Sequence, residues 1–273
     1  MSQESKRMKT EKAIAVFDID GVIRDVGGSY RRALADTVEE FTGGALRPTP
    51  EAIDSLKAEG SWNNDWEGSQ ELVYRYFEGQ GGDRAAVDLD YDELVAFFQS
   101  RYRGENPENP QQWTGYICQE PLLVRPEYFQ GLTAAGIAWG FFSGATRGSA
   151  SYILEKRLGL TVPVLVAMED APGKPDPTGL LATVAQLEEQ HPGYQNQPVL
   201  YAGDTVADLY TVEKAAKLHP DRRWIAVGIL PPHVQTSPER RDAYIELLQG
   251  AGAMVVLENI EQLDGAKIQA LLD

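Results

Sequence analysis

The chain has 273 residues, 41 acidic against 25 basic, with a formal charge of −16. With 42% hydrophobic and 24% charged residues it can bury a full core, which excludes a disordered segment or a small disulfide scaffold. So acidic a chain is a poor counterion for a phosphate backbone or an anionic lipid surface, so neither nucleic acid nor membrane is expected as partner.

Met1 to Lys12 is polar and mixed in charge and reads as a frayed tail. No apolar run reaches the roughly 18 residues of a spanning helix. Cys118 is the only cysteine, so no disulfide closes within the chain; a reducing compartment suits this, and a soluble cytoplasmic protein is the expectation. Ala13 to Phe17 (AIAVF) is a short apolar run ending in Asp18-Ile19-Asp20-Gly21, the pattern of a buried parallel strand. Similar runs follow at Ile137 to Phe142, Val162 to Val166, Pro198 to Ala202, Trp224 to Val227 and Ala253 to Leu257. Helical patterns lie around them: Pro126 to Ala135, Arg147 to Leu158, Pro177 to Gln190 and Ala207 to Leu218. Strands alternating with helices predict an α/β fold with a doubly wound parallel sheet.

Residues 25–118 break this rhythm with several amphipathic helices and no strand pattern. Tyr30, Leu34, Val38 and Phe41 share one helical face. Thr49-Pro50 is a cap followed by proline at the first helical position. Leu72, Val73, Tyr76 and Phe77 form a second stripe; Asp90 and Glu93 have capping-box spacing ahead of Leu94, Phe97, Phe98 and Tyr102. This helical insert holds 18 acidic and 8 basic residues and so carries most of the negative charge. Residues 104–112 (GENPENPQQ) suit a return linker. The expected organisation is an α/β core from residues 1–24 and 119–273, and a helical domain from 25–118.

In a parallel sheet the carboxyl ends of the strands share one rim, where ligands bind. Asp18 and Asp20 follow the first strand, Ser143-Gly144 the second, Lys174 lies in the loop after the third, and Asp204 and Asp208 follow the fourth. Carboxylates, a hydroxyl and an ammonium group converge there. The set suits phosphoryl transfer: a carboxylate can attack phosphorus, a hard cation such as Mg²⁺ on oxygen ligands can screen the two anions, and a lysine with a hydroxyl can hold phosphoryl oxygens.

Asp18-Ile19-Asp20-Gly21-Val22, Ser143-Gly144, Lys174-Pro175 and Gly203-Asp204-Thr205-Val206-Ala207-Asp208, in that order, resemble the four motifs of the haloacid dehalogenase-like (HAD) superfamily, and the helical insert resembles the cap of its subfamily I. The second motif departs mildly, reading Ser-Gly-Ala where many members have Thr-Asn. The resemblance implies a Rossmann-like core with an inserted cap. It also implies Asp18 as nucleophile and Mg²⁺ ligand, and Asp20 as general acid and base with its carbonyl on the metal. Ser143, Gly144 and Lys174 would hold phosphate, Asp204 would ligate Mg²⁺, and Asp208 would lie behind it, through water or Lys174. Because family dehalogenases lack the second acid, Asp20 implies a phosphate ester: a Mg²⁺-dependent phosphatase of small phosphomonoesters, such as phosphoglycolate, a sugar phosphate or histidinol phosphate, working through an aspartyl-phosphate. The alternatives are a phosphomutase of the same superfamily, or a non-catalytic binding protein on this fold. A Schiff-base phosphonatase would have to use Lys57, the insert's only lysine.

Trp62, Asn63, Asn64, Asp65 and Trp66 form a loop between cap helices and are candidates for substrate specificity; the competing expectation is that the indoles pack and the polar residues cap a helix. Arg31, Arg32 and Arg147 are expected on solvated faces. His191, His219 and His233, each beside proline, are expected in loops without a metal or triad role. Cys118 is expected to pack as a small hydrophobe. The partner is a small phosphorylated metabolite; self-association is left open.

Overall fold

A computed structural model describes residues 11–62 and 64–273, so the expected tail falls mostly outside the described residues. Six parallel strands form one sheet in the order β3-β2-β1-β4-β5-β6. They are β1 (Ala13–Phe17), β2 (Ile137–Phe142), β3 (Leu165–Val166), β4 (Val199–Gly203), β5 (Trp224–Ile229) and β6 (Val255–Leu257). Every residue of β1 is buried, as befits a central strand covered on both faces. Its side chains alternate between two cores. Ala13, Ala15 and Phe17 join one, which also takes α5 (Pro126–Ala134) and α10 (Gly265–Leu272). Ile14 and Val16 join the other, with α7 (Thr178–Gln190), α8 (Val206–Leu218) and α9 (Pro238–Gly250). The sheet is therefore doubly wound.

Two strands are shorter than their apolar runs. Val162 to Val166 pairs only at Leu165–Val166, because Pro163 has no N–H for the ladder and Val162 turns outward at φ 40 with 82% exposure. At Ala253 to Leu257, the Ala253 N–H returns to Leu248 O and the strand starts at Val255. The expected helix at Arg147 to Leu158 is α6 (Arg147–Ser151) followed by a wider π-type turn over Tyr152–Arg157.

Between β1 and α5 the chain builds the helical cap: α1 (Tyr30–Phe41), α2 (Pro50–Ala58), α3 (Asp65–Gly79) and α4 (Tyr91–Tyr102). Thr49 caps α2 by accepting from Ala52 N–H, with Pro50 in the first turn. Asp90 caps α4 by accepting from the Asp92 and Glu93 amides. The predicted stripes turn inward: Tyr30, Leu34, Val38, Val73, Leu94, Phe98 and Tyr102 are buried, and α1 packs on both α3 and α4. The outgoing and returning chains pair where cap meets core. Asp25 N–H donates to Pro121 O at 2.9 Å, and Leu123 N–H to Ile23 O at 2.8 Å.

Candidate active site

The strand order reverses between β1 and β4, so their carboxyl ends open the crevice in which an open α/β sheet binds ligands. Asp18 leaves β1 with its N–H held by Ala202 O at 2.9 Å. A tight turn follows, in which Ile19 O accepts from the Val22, Ile23 and Arg24 amides and Gly21 N–H donates to Arg24 O. Gly21 takes φ 74, a conformation open to glycine and strained for other residues.

Lys174 draws two motifs together. Its Nζ stands 2.8 Å from Asp18 Oδ1 and 2.6 Å from Asp208 Oδ1, and it lies over the Phe142 and Tyr201 rings at 5.3 and 5.5 Å. Asp208 is fully buried and has two tasks. One oxygen closes a capping box at the start of α8, accepting from Thr205 N–H at 2.9 Å and Thr205 Oγ1 at 2.6 Å; the other meets Lys174 and the Tyr201 hydroxyl at 3.0 Å. Asp18, Asp204 and Asp208 each place a carboxylate oxygen within 4.8 Å of the others. The Asp204 carbonyl accepts from the Tyr244 hydroxyl at 2.9 Å.

Three buried carboxylates face one ammonium group, and the imbalance appears in their acidities. Burial pushes Asp18 up to about 7; Lys174 opposes this, while Asp208 and Asp20 add to it. Asp204 is pushed well up by burial and by Asp208 and Asp18. Burial opposes ionisation of Asp208 too, but Lys174 and the Thr205 bonds outweigh it and hold the carboxyl low. Burial would lower Lys174, yet Asp18 and Asp208 raise it. With Asp208 committed to Lys174, the excess charge sits on Asp18 and Asp204, a hard oxygen pair whose deficit a divalent cation meets. The donor set therefore fits Mg²⁺, with Asp18 and Asp204 as the residues that would hold it.

Ser143 follows β2 directly, with its N–H on Val166 O and its Oγ accepting from Ala145 N–H at 3.1 Å. It is buried, whereas Gly144 beside it is exposed. From the cap side Arg103, next after α4, donates to Thr146 Oγ1 at 2.6 Å and Ser149 Oγ at 3.1 Å, holding the start of α6.

A second cluster at this rim is absent from the motif pattern. Arg24 is fully buried. Its Nε donates to Asp20 Oδ1 at 2.6 Å, and its Nη1 to Glu120 Oε2 at 2.9 Å and the Tyr102 hydroxyl at 2.7 Å. Ser29 Oγ donates to the other Glu120 oxygen. Tyr30 stacks on Tyr102 at 4.0 Å with the guanidinium 5.4 Å from its ring centre. Among the described residues Arg24 Nη2 has no acceptor. Burial pushes Glu120 up to about 7 against the pull of Arg24 and Ser29. The only trace in the sequence is an arginine closing the apolar pair Val22-Ile23, with an acid, Glu120, just before Pro121 on the return.

The candidate specificity loop finds its partners inside the cap. Asn64 caps α3 by accepting from Trp66 N–H at 3.0 Å, Asp65 pairs with Lys57 at 2.7 Å, Trp62 donates to Glu59 at 2.8 Å, and Trp66 packs on the core cluster. Asn63 lies outside the described residues. Arg31 is not on a solvated face: it pairs with Asp54 on α2, its side chain 14% exposed. Asp54 also receives Arg240 from α9 and lies 3.5 Å from His233 Nε2, so one cap carboxylate gathers cations from cap and core; His233 thus has a partner that loop placement alone did not suggest. Arg32 lies over the Tyr116 ring at 4.2 Å. Arg147 is half exposed and pairs with Asp170. Cys118 is half-buried, 3.2 Å from Trp113 O.

Among the described residues no helix is long and apolar enough to cross a membrane. Residues 12–215 match the family model of the haloacid dehalogenase-like hydrolases. Over 250 residues the chain is 29% identical to an imidazoleglycerol-phosphate dehydratase of Phytophthora nicotianae, covering 89% of this chain and 49% of that protein; the chain spans about half the length of this curated relative. In fold it is similar to phosphatase Tt82 from Thermococcus thioreducens, with a TM-score of 0.61 and 24% identity over 85% of this chain and 98% of that one. It is likewise similar to a phosphonoacetaldehyde hydrolase-like protein from Oleispira antarctica, with a TM-score of 0.62 and 18% identity over 96% and 94% of the two chains. The four motifs, their gathering at one sheet rim and a family match over most of the length make this chain a member of the haloacid dehalogenase-like hydrolases.

Proposed function

We propose that this chain is a Mg²⁺-dependent phosphatase that hydrolyses a small phosphomonoester through an aspartyl-phosphate on Asp18. The observation that carries the reading is the pairing of two acids on one turn: Asp18, held by Lys174, and Asp20, two residues on, with its side chain still 29% exposed. Asp18 attacks phosphorus as the ester P–O bond breaks, and Asp20 gives its proton to the departing oxygen, releasing the alcohol. Asp20, now a carboxylate, takes a proton from the water that attacks the acyl-phosphate, and inorganic phosphate leaves with Asp18 restored. Ser143 Oγ, the Gly144 amide and Lys174 bind the phosphoryl oxygens, while Asp208 orients Lys174. The cation, when bound, screens the negative charges of nucleophile and phosphate.

The net charge of −16 supports a small metabolite over a nucleic acid. The Phytophthora relative's name contains an imidazole-bearing phosphate ester, which puts histidinol phosphate first to try among phosphoglycolate, sugar phosphates and histidinol phosphate. The test is release of inorganic phosphate from a library of small phosphomonoesters, with Mg²⁺ and with EDTA. Metal-dependent release supports a phosphatase. Isomerisation of a sugar phosphate without release would point to a phosphomutase, and no turnover of any ester to a binding protein.

A further inference from the structure

Among the described residues Arg24 is one of the largest fully buried side chains, and its charge is not needed to fill that space. A buried ion pair is commonly replaced by apolar residues of similar volume without loss of stability. What the guanidinium supplies is a fixed fork. Nε holds Asp20 Oδ1 at 2.6 Å, and Nη1 holds Glu120 and the Tyr102 hydroxyl. Arg24 and Glu120 are fully covered, while the Asp20 side chain is 29% exposed. The anchored end of this chain of bonds thus lies in the interior and its free end at the rim.

We propose that Arg24 is a positioning residue: by binding Oδ1 of Asp20, and being bound itself by Glu120 and Tyr102, it fixes the Asp20 carboxyl so that Oδ2 meets the leaving oxygen of the ester. The inference rests on Asp20 being the proton donor of the proposed phosphatase reaction. An unanchored aspartate rotates about two side-chain bonds, and a donor out of line gives up part of the roughly 10²–10⁴-fold that positioned proton transfer contributes. The turn that places Asp18 also places Arg24, because Gly21 N–H donates to Arg24 O. The same network takes Ser29 and Tyr102 from the cap and Glu120 from the returning chain, so the donor is anchored where cap and core join.

The test compares phenyl phosphate with p-nitrophenyl phosphate, two esters of nearly equal size. Phenolate is a poor leaving group and benefits from a proton; nitrophenolate leaves without one. The readout is the ratio of their kcat/KM values, which covers leaving-group departure but not the acyl-phosphate hydrolysis the two esters share, with melting temperatures, in wild type, Arg24→Met, the pair Arg24→Met/Glu120→Gln, and Asp20→Asn. The paired variant removes the charge that the single change would leave buried. We expect the phenyl-to-nitrophenyl ratio to fall about tenfold in both Arg24 variants and further in Asp20→Asn, with KM little changed. An equal loss on both esters, tracking a lower melting temperature, would overturn the positioning role and leave a structural one. A ratio that collapses in Asp20→Asn but holds in the Arg24 variants overturns the role of Arg24 and spares the phosphatase reading. A ratio unmoved in Asp20→Asn overturns Asp20 as donor, and the role of Arg24 with it.

Discussion

A side chain on Gly21 would collide with Asp204: a Cβ built there stands 2.0 Å from Asp204 Oδ2. The first and fourth motifs, separated by most of the chain, thus meet with no room for a methyl group. Gly21 also holds φ 74, which costs an L-residue about 1–2 kcal/mol. Gly21→Ala should therefore lower stability by that order. It should also displace the Asp204 carboxylate by enough to reduce kcat about 100-fold. Turnover and melting curves on the same preparation check both; an alanine variant with near wild-type kcat would show that Asp204 does not need its observed place.

Asp18 and Asp204 face an excess of negative charge, which predicts metal-linked stability. Added Mg²⁺ should raise the melting temperature of the wild type, by about 2.7 kcal/mol of stabilisation at 100 times the dissociation constant. In Asp204→Asn most of that increment should vanish, because one of the two carboxylates that would hold the cation is gone. Thermal unfolding against Mg²⁺ concentration measures it, independently of substrate. An equal Mg²⁺ shift in both proteins would place the metal elsewhere.

Asp54 gives a pH signature. Burial raises its pKa, but the His233 bond and the Arg31 and Arg240 charges win, bringing the pKa from 3.8 down to about 2. A depressed carboxyl binds fewer protons folded than unfolded. Its stabilisation is therefore complete above 3.8 and is lost as pH falls towards 2. Asp54→Asn should melt below the wild type at about pH 6, and the gap should close between about pH 4 and 2. A gap independent of pH would mean that the carboxyl's charge is not what joins α2 to α9.

Asn64 behaves as a helix cap. Asn64→Ala removes the acceptor for Trp66 N–H and should cost about 1 kcal/mol of stability, with phenyl and p-nitrophenyl phosphate affected alike. Chemical denaturation and both rates settle it. If selectivity among esters changes while stability holds, the loop does reach the substrate.

The sheet was legible because its strands fall within short apolar runs, some of them ending in a chemically distinctive pair such as Asp18-Ile19 or Gly203-Asp204. The cap helices were legible from their stripes and from caps such as Thr49-Pro50. What escaped were contacts fixed by tertiary packing. Arg24 reads as an ordinary charged residue until the returning chain brings Glu120 against it. Arg31 reads as surface until α2 supplies Asp54, and Val162 reads as strand although Pro163 ends the ladder. In each case the deciding partner lies far along the chain or depends on backbone geometry, and neither hydrophobic period nor motif spacing carries that information.

Asp18 as nucleophile is tested by phosphate release from Asp18→Asn beside the wild type, with Mg²⁺ present. An amide cannot form the acyl-phosphate, although it nearly preserves the shape of the carboxylate. The variant should fold, melt near the wild type and lose turnover by several orders of magnitude, roughly 10³-fold or more. A folded Asp18→Asn protein that retains more than about a tenth of wild-type kcat would show that Asp18 is not the nucleophile.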